Sequence, residues 1–221
     1  MAIRLSVVLL ALIVSACGPV HKNVSLDAKE AQSIHVLEVQ MHSKGSFEVI
    51  MDRATATAGP AAMFGLIGVA VASAHNQSLD NDKENKVSKH IEGIEHQATV
   101  STGLFEGLKQ QTRFTVVDAM AKDNAADSIL ELTIKDWGLK VADKRHESLV
   151  TPFVQIECVV RHKSGHKKLL NLHETYYGKN SRAFHKYEGD GKLLADELQA
   201  VLHEAGLQIG TRMAYTLGGN S

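Results

Sequence analysis

Three stretches in the second half of this chain alternate apolar and polar residues in the pattern of β-strands. They cover residues 129–141, 150–162 and 168–177. Because successive side chains of a strand point to opposite faces, each stretch has one apolar face and one polar face. Residues 163–165 form a turn signal between the second stretch and the third. The pattern predicts three long neighbouring strands in a sheet that buries one of its faces.

The alternation changes phase within the first of these stretches. Leu130, Leu132 and Ile134 fall on one parity, whereas Leu139 falls on the other. One extra residue in the strand would return the later apolar side chains to the same face. We therefore predict a β-bulge at Gly138.

Two stretches have the apolar periodicity of helices that could cover this sheet. The first is 96–111. The second follows a predicted N-cap at Asp190 and carries an apolar stripe from Leu194 to Met213.

Shorter strands are predicted at 34–41, 46–51 and 113–118, and the first two are expected to pair as a hairpin. A hydrophobic content of 44% is enough for a packed core. The predicted fold class is α+β: a mainly antiparallel sheet with helices packed on one face, plus a Gly/Ala-rich helical segment.

That Gly/Ala-rich segment is the core of a predicted insertion over 54–93. Residues 54–79 carry no charge, and residues 58–74 are its apolar centre. Its small residues recur at nearly the spacing that lets two helix backbones approach closely. The segment is either an assembly element that touches a membrane or another helix, or an internal helix or loop of the domain. The charged run Asp80 to Glu84 is expected to be a solvated linker, because a calcium loop would need an acid where Ile91 stands.

The sequence offers no convincing catalytic, cofactor or metal site. His162, His166 and His173 surround one turn, but zinc needs three or four convergent ligands and the neighbouring lysines would repel a cation. Cys158 lies among apolar residues and is predicted to be a buried structural thiol. No nucleophile motif is present. An enzyme would return to contention only if Asp118, Asp136 and His173 shared a cleft.

The amino terminus has the order of a secretory signal. Arg4 precedes an apolar run from Leu5 to Val14, and the small residues Ser15 and Ala16 lead to Cys17. This arrangement resembles the signal of bacterial lipoproteins, and the resemblance implies that Cys17 becomes the lipidated first residue of the mature chain. Residues 1–16 are then the signal peptide, 17–32 the lipidated cysteine and tether, and 33–221 a single periplasmic domain. Cys158 would be left without a disulfide partner.

A second resemblance lies in two strand motifs. Arg113 to Asp118 reads RFTVVD, and Ala126 to Ile134 reads ADSILELTI. These motifs resemble the curli-secretion lipoprotein family, lipoprotein activators of penicillin-binding proteins and the amino-terminal domain of the Tol–Pal translocation protein. The resemblance implies an α/β envelope lipoprotein that assists or assembles other proteins, and it transfers no functional residue.

Together these features predict a lipid-anchored envelope lipoprotein on the periplasmic side of the outer membrane, which acts by contact with another envelope protein. Gly18, directly after the cysteine, favours the outer membrane by the same lipoprotein resemblance. A formal charge of −1 gives no electrostatic basis for binding nucleic acid. Two alternatives remain open: a self-assembling secretion-pore component, which would be a homo-oligomer, and an auxiliary lipoprotein for transport of a lipid or solute.

Overall fold

The computed structural model describes residues 26–50, 82–110, 113–119, 125–141, 149–165 and 167–218 of the 221-residue chain. Cys17 and the Gly/Ala-rich residues 58–74 lie outside the described residues, so the two predictions that rest on them stay predictions.

The elements combine helices with a mixed sheet whose longest ladders are antiparallel, which confirms the α+β fold class. In chain order they are α1 (Ala28–Gln32), β1 (Val36–Ser43), β2 (Phe47–Ile50), helical residues 82–91 (α2), α3 (His96–Leu108), β3 (Thr115–Asp118), β4 (Ser128–Val141), β5 (Leu149–His162), β6 (Lys168–Tyr177), β7 (Arg182–Ala183), α4 (Phe184–Gly189) and α5 (Gly191–Gly218).

The described strands have the order β3-β1-β4-β5-β6, with β2 on β4 and β7 on β5. The three long strands β4, β5 and β6 are consecutive antiparallel neighbours, as predicted. The predicted hairpin of β1 and β2 is wrong. Both strands instead run parallel to β4 and lie end to end along it: Ser43 is opposite Ile134, and Phe47 is opposite Trp137. The chain therefore does not reverse direction at residues 44–46. Strand β4 is long enough to pair with both β1 and β2.

The β-bulge lies at Lys135 and not at Gly138. The register between β4 and β5 shifts between Ile134 and Asp136, which leaves Lys135 as the extra residue. Gly138 has another structural role, because its φ is +146° and a side chain there would overlap the backbone of Glu48 in β2. The alternation in the sequence predicted the phase change in β4 correctly. It did not predict its position, because the extra residue is Lys135 and not Gly138, the one glycine of that strand.

One face of the sheet, which we call the helix face, packs against α3 and α5. His96 of α3 stacks its ring on Trp137 with 4.9 Å between ring centroids, and Arg212 of α5 pairs with Glu174 of β6. The predicted apolar stripe of α5 is buried throughout, and Asp190 accepts the Leu193 amide as the N-cap. The buried sheet side chains of this face include Leu37, Val39, Leu130, Leu132, Ile134, Trp137, Leu139, Val141, Val150, Val154, Ile156, Cys158, Val160, Leu170 and Leu172. No helix among the described residues has both the length and the apolarity to cross a membrane.

Helices α3 and α5 run parallel and touch through glycines. Gly103 and Gly107 of α3 face Gly206 and Gly210 of α5. A Cβ atom at Gly107 would lie 2.5 Å from the Leu207 oxygen, which is closer than real Cβ contacts come. Backbone therefore packs directly on backbone along this pair of helices.

Two short helices beside or within segments predicted to be solvated contribute to the domain core. The predicted tether ends in α1, where Ala31 is buried. The predicted solvated linker, 80–84, is helical from residue 82 and is not buried where it is described, whereas Val87, further along the same helix α2, is fully buried. Helices α1 and α2 place few apolar side chains per turn on the core, so their composition is typical of solvated segments.

The two motifs that carried the second resemblance hold the elements together. Arg113 donates from its guanidinium to the Leu217 carbonyl of α5 and to the Ala31 carbonyl of α1, where a cation complements the helix ends. Asp127 accepts the backbone amides of His35 and Val36 at 2.9 and 3.0 Å, which fixes the start of β1 beside β4.

Candidate functional site

The histidines of the predicted turn do not converge. His162 bonds to two serine hydroxyls, Ser128 Oγ at 3.2 Å and Ser33 Oγ at 3.3 Å. His173 lies on β6 with its Nε2 3.5 Å from Glu157 Oε1. His166 lies outside the described residues. Within the described part of the chain, no three His, Cys, Asp or Glu side chains are grouped so that they could hold a metal ion.

Asp118, Asp136 and His173 do not share a cleft. They lie on β3, β4 and β6, and β3 and β6 stand at opposite ends of the strand order. At the usual spacing of neighbouring strands, about 4.8 Å, these outer strands are roughly 19 Å apart. The grouping that would have argued for catalysis is therefore not assembled.

Cys158 is a buried free thiol on the helix face, as predicted. Burial, followed by the nearby charge of Glu174, raises the pKa of this thiol to about 12. Deprotonation at neutral pH is accordingly strongly disfavoured, and the thiol is a poor nucleophile.

We predict that the native protein resists alkylation at Cys158. A chain that begins at Gly18 has Cys158 as its only thiol. Iodoacetamide at mildly alkaline pH should label it slowly when the protein is folded and rapidly in concentrated guanidinium chloride, which can be followed by intact mass. Equal labelling rates in the two conditions would contradict the buried position.

The other side of the sheet, which we call the open face, carries ordered pairs of charges. The sheet contacts of His96 in α3 and of Arg212 in α5 both fall on the helix face. Arg161 of β5 donates to Glu131 of β4, with its Nε 3.0 Å from Oε1. Glu157 of β5 is contacted by Lys135 at 2.5 Å and by His173. Other polar side chains of the open face include Glu38, Gln40, His42, Thr133, Asp136, Lys140, Gln155, Asn171 and Thr175.

Apolar side chains complete the open face. Ile129 and Val159 are buried there but do not belong to the main core cluster. The charged pairs are partly accessible, with 27% and 28% of the Arg161 and Glu131 side chains exposed. The half-buried charge pairs are the accessible part of this face, and they supply fixed polar positions for recognition of another protein.

The charge pairs also make the open face sensitive to acid. The hydrogen bond from Lys135 lowers the pKa of Glu157 below its ordinary value of 4.5, while partial burial opposes this shift. A lowered carboxyl pKa stabilises the folded state above the unfolded pKa, and this contribution is lost as the pH falls through the folded pKa.

We predict that Glu157→Gln destabilises the protein at neutral pH and that the difference from wild type shrinks below about pH 4.5. Urea unfolding at neutral pH and near pH 3 measures both differences. Glu92→Gln, in the exposed turn after α2, is the matched control for loss of one carboxylate. A difference for Glu157→Gln that stayed constant with pH would contradict the ion pair.

A groove of about 460 Å³ lies between α5 and the residues that follow β6. Its lining includes Tyr177, Lys179, Asn180, Glu197 and Gln208. Glu197 is already engaged by the Arg182 Nε at 2.7 Å and the Tyr187 hydroxyl at 2.5 Å. The lining of this groove mixes these polar and charged side chains with Ala200 and Val201, so it is not a purely apolar cavity.

Two structural features escaped sequence reasoning. The glycines of α3 and α5 show the small-xxx-small spacing at 103/107 and 206/210, although the sequence prediction assigned this spacing only to the Gly/Ala-rich segment. The charge pairs of the open face could not be predicted without the strand register, because Arg161 and Glu131 are neighbours only when β4 and β5 pair.

No protein-family model and no curated protein sequence matches this chain. Among solved structures, a DUF330-family protein from Xanthomonas campestris is 10% identical over 90% of this chain and 89% of its own, with a TM-score of 0.40. The PelC dodecamer from Paraburkholderia phytofirmans is 13% identical over 90% and 97%, with a TM-score of 0.39. A hypothetical protein from Chlamydia trachomatis is 8% identical over 85% and 100%, with a TM-score of 0.45. Function does not transfer at this level of likeness.

Proposed function

We propose that this protein is a lipid-anchored lipoprotein of the bacterial envelope that assists another envelope protein by direct contact. The amino-terminal signal ending in Cys17 supports the anchor. The observation that carries the contact function is the asymmetry of the sheet among the described residues: α3 and α5 pack against the helix face, whereas the open face presents half-buried charge pairs. Acyl chains hold the protein at a membrane leaflet, and the domain meets its partner across the open face.

Position-specific cross-linking tests the contact function. A photoreactive residue is placed at His42 or Thr175, which are exposed on the open face, and irradiated in living cells. Matched controls carry it at Gln208 or Tyr215, which are exposed on α5. The proposal expects one discrete adduct with an envelope protein from the open-face positions and none from α5. Adducts from α5 alone, or no adduct from the open face, would contradict it.

Self-association is the second candidate function. The outer edge of β6 has no strand partner among the described residues, and an unpaired edge can accept a strand from another copy. Light scattering of the lipidated protein in mild detergent, beside a variant that lacks residues 58–74, distinguishes the cases. A discrete oligomer that becomes a monomer on deletion would support an assembly element, whereas monomers in both would point to a different protein as the partner.

A further inference from the structure

Four lysines lie at one end of the domain, around helix α1 and the turn between β5 and β6. Residues Lys29, Lys163, Lys167 and Lys168 define this end, which we call the anchor pole. Two contacts bring their segments together: Lys167 pairs with Glu30, and Ser33 Oγ lies 3.3 Å from His162 Nε2. Strands β1, β4 and β6 start at this pole and β5 ends there, since Leu37, Ser128 and His162 are neighbours in register.

The lysines of the anchor pole lie outside the acids with which they pair. The Lys163 side chain is 42% exposed and its partner Glu38 only 6%; Lys168 is 49% exposed and Glu157 18%. Lys167 is 75% exposed against 30% for Glu30. Asp27 uses a carboxylate oxygen to cap the Lys29 amide. In each of these three ion pairs the more exposed charge is the positive one, whereas Asp27 is an exposed acid of the same pole.

The proposed lipid attachment lies close to this pole in sequence. Leu26 packs against the core directly before α1, and it follows Cys17 by nine positions. Nine extended residues span at most about 30 Å. A lipid on Cys17 would hold this pole near the bilayer, and the short tether would give it a high effective concentration of headgroups.

We propose that the anchor pole docks on a membrane surface of anionic phospholipids. The strands then extend away from the membrane, and the open face is perpendicular to the membrane plane. This inference rests on the proposed lipid anchor for its biological setting. Lysine ammonium groups attract phosphate headgroups, and the attraction extends over a Debye length of about 8 Å at physiological salt. The tether supplies attachment, and the lysines supply orientation.

Vesicle binding by the unlipidated chain tests the proposal. A chain that begins at Gly18 retains every described element and carries no lipid, so the result does not depend on whether Cys17 is modified. The probes are vesicles of phosphatidylglycerol and phosphatidylcholine in equal parts, and vesicles of phosphatidylcholine alone. We expect co-sedimentation with the anionic vesicles at low salt, little with the neutral ones, and release at high salt.

The variant Lys29→Glu/Lys167→Glu/Lys168→Glu should weaken binding to the anionic vesicles by about fivefold or more for each lysine. Its matched control, Lys179→Glu/Lys186→Glu/Lys192→Glu, changes net charge equally at the opposite end of the domain. The neutral variant Lys29→Gln/Lys167→Gln/Lys168→Gln serves if the reversed charges prevent folding.

Two results would overturn the proposal: no binding to anionic vesicles at low salt, or equal weakening by the two charge-reversal variants. The second result would show that binding follows net charge and not the anchor pole. Mass analysis of the native protein decides the lipid at Cys17 separately, so failure of this docking surface and failure of the proposed anchor are distinguishable.

Discussion

Gly206→Ala is expected to lower the free energy of unfolding by about 3 kcal/mol, because overpacking of a contact that cannot yield costs that much. A Cβ at this position would overlap the Val100 carbonyl oxygen and lie 2.9 Å from the Leu104 amide nitrogen. Both obstacles are helix backbone, which cannot rotate aside as a side chain can. Helices α3 and α5 would have to separate, and their buried side chains would lose contact with the helix face.

Urea unfolding of Gly206→Ala measures this cost, and Gly189→Ala is its control. Gly189 ends helix α4, and a Cβ there meets no atom within 4 Å. The control should change stability by no more than about 1 kcal/mol, because glycine and alanine differ by that much in helices. If the two variants were equally stable, the direct backbone contact between α3 and α5 would be refuted.

Asp127→Ala is expected to cost about 3 kcal/mol, because it leaves two backbone amides without their charged acceptor. Its carboxylate accepts the amides of His35 and Val36, and these bonds set the register of β1 against β4. Asp127→Asn retains one acceptor oxygen and should cost less. Asp196→Ala, with a side chain that is 57% exposed, is the control for removing an aspartate.

The measurement for Asp127 is again the free energy of unfolding, together with hydrogen exchange of the Leu37 and Val39 amides. Loss of the carboxylate should speed exchange at the start of β1 more than in β5. A cost for Asp127→Ala no greater than that for Asp196→Ala would contradict its role as the clamp of β1.

The elements that sequence predicted well are those with long patterns. Strands β4, β5 and β6 carry at least ten residues each, so their alternation defines both the strand and its buried face. The stripe of α5 does the same for a helix. In these elements the sequence pattern and the tertiary environment agree, because the buried side chains that face the helices belong to one core.

The elements that sequence predicted poorly depend on partners distant in the chain. Nothing local distinguishes a hairpin of β1 and β2 from two strands that each pair with β4, eighty or more positions later. Helix α2 contributes Val87 to the core among mostly polar neighbours, and glycines 206 and 210 bury backbone without any apolar signal. The alternating polar residues of the long strands predicted a polar face of the sheet. The ion pairs on that face depend on the strand register, which only the folded sheet defines.

The central claim is that Cys17 anchors this domain to a membrane, and intact mass tests it most directly. The native protein and Cys17→Ala are expressed in a Gram-negative bacterium, fractionated and weighed. The account predicts a native chain that begins at Cys17, carries added acyl mass and is found with the membrane, while Cys17→Ala carries none. A native chain with an unmodified Cys17, or one cut at another position, would contradict the account.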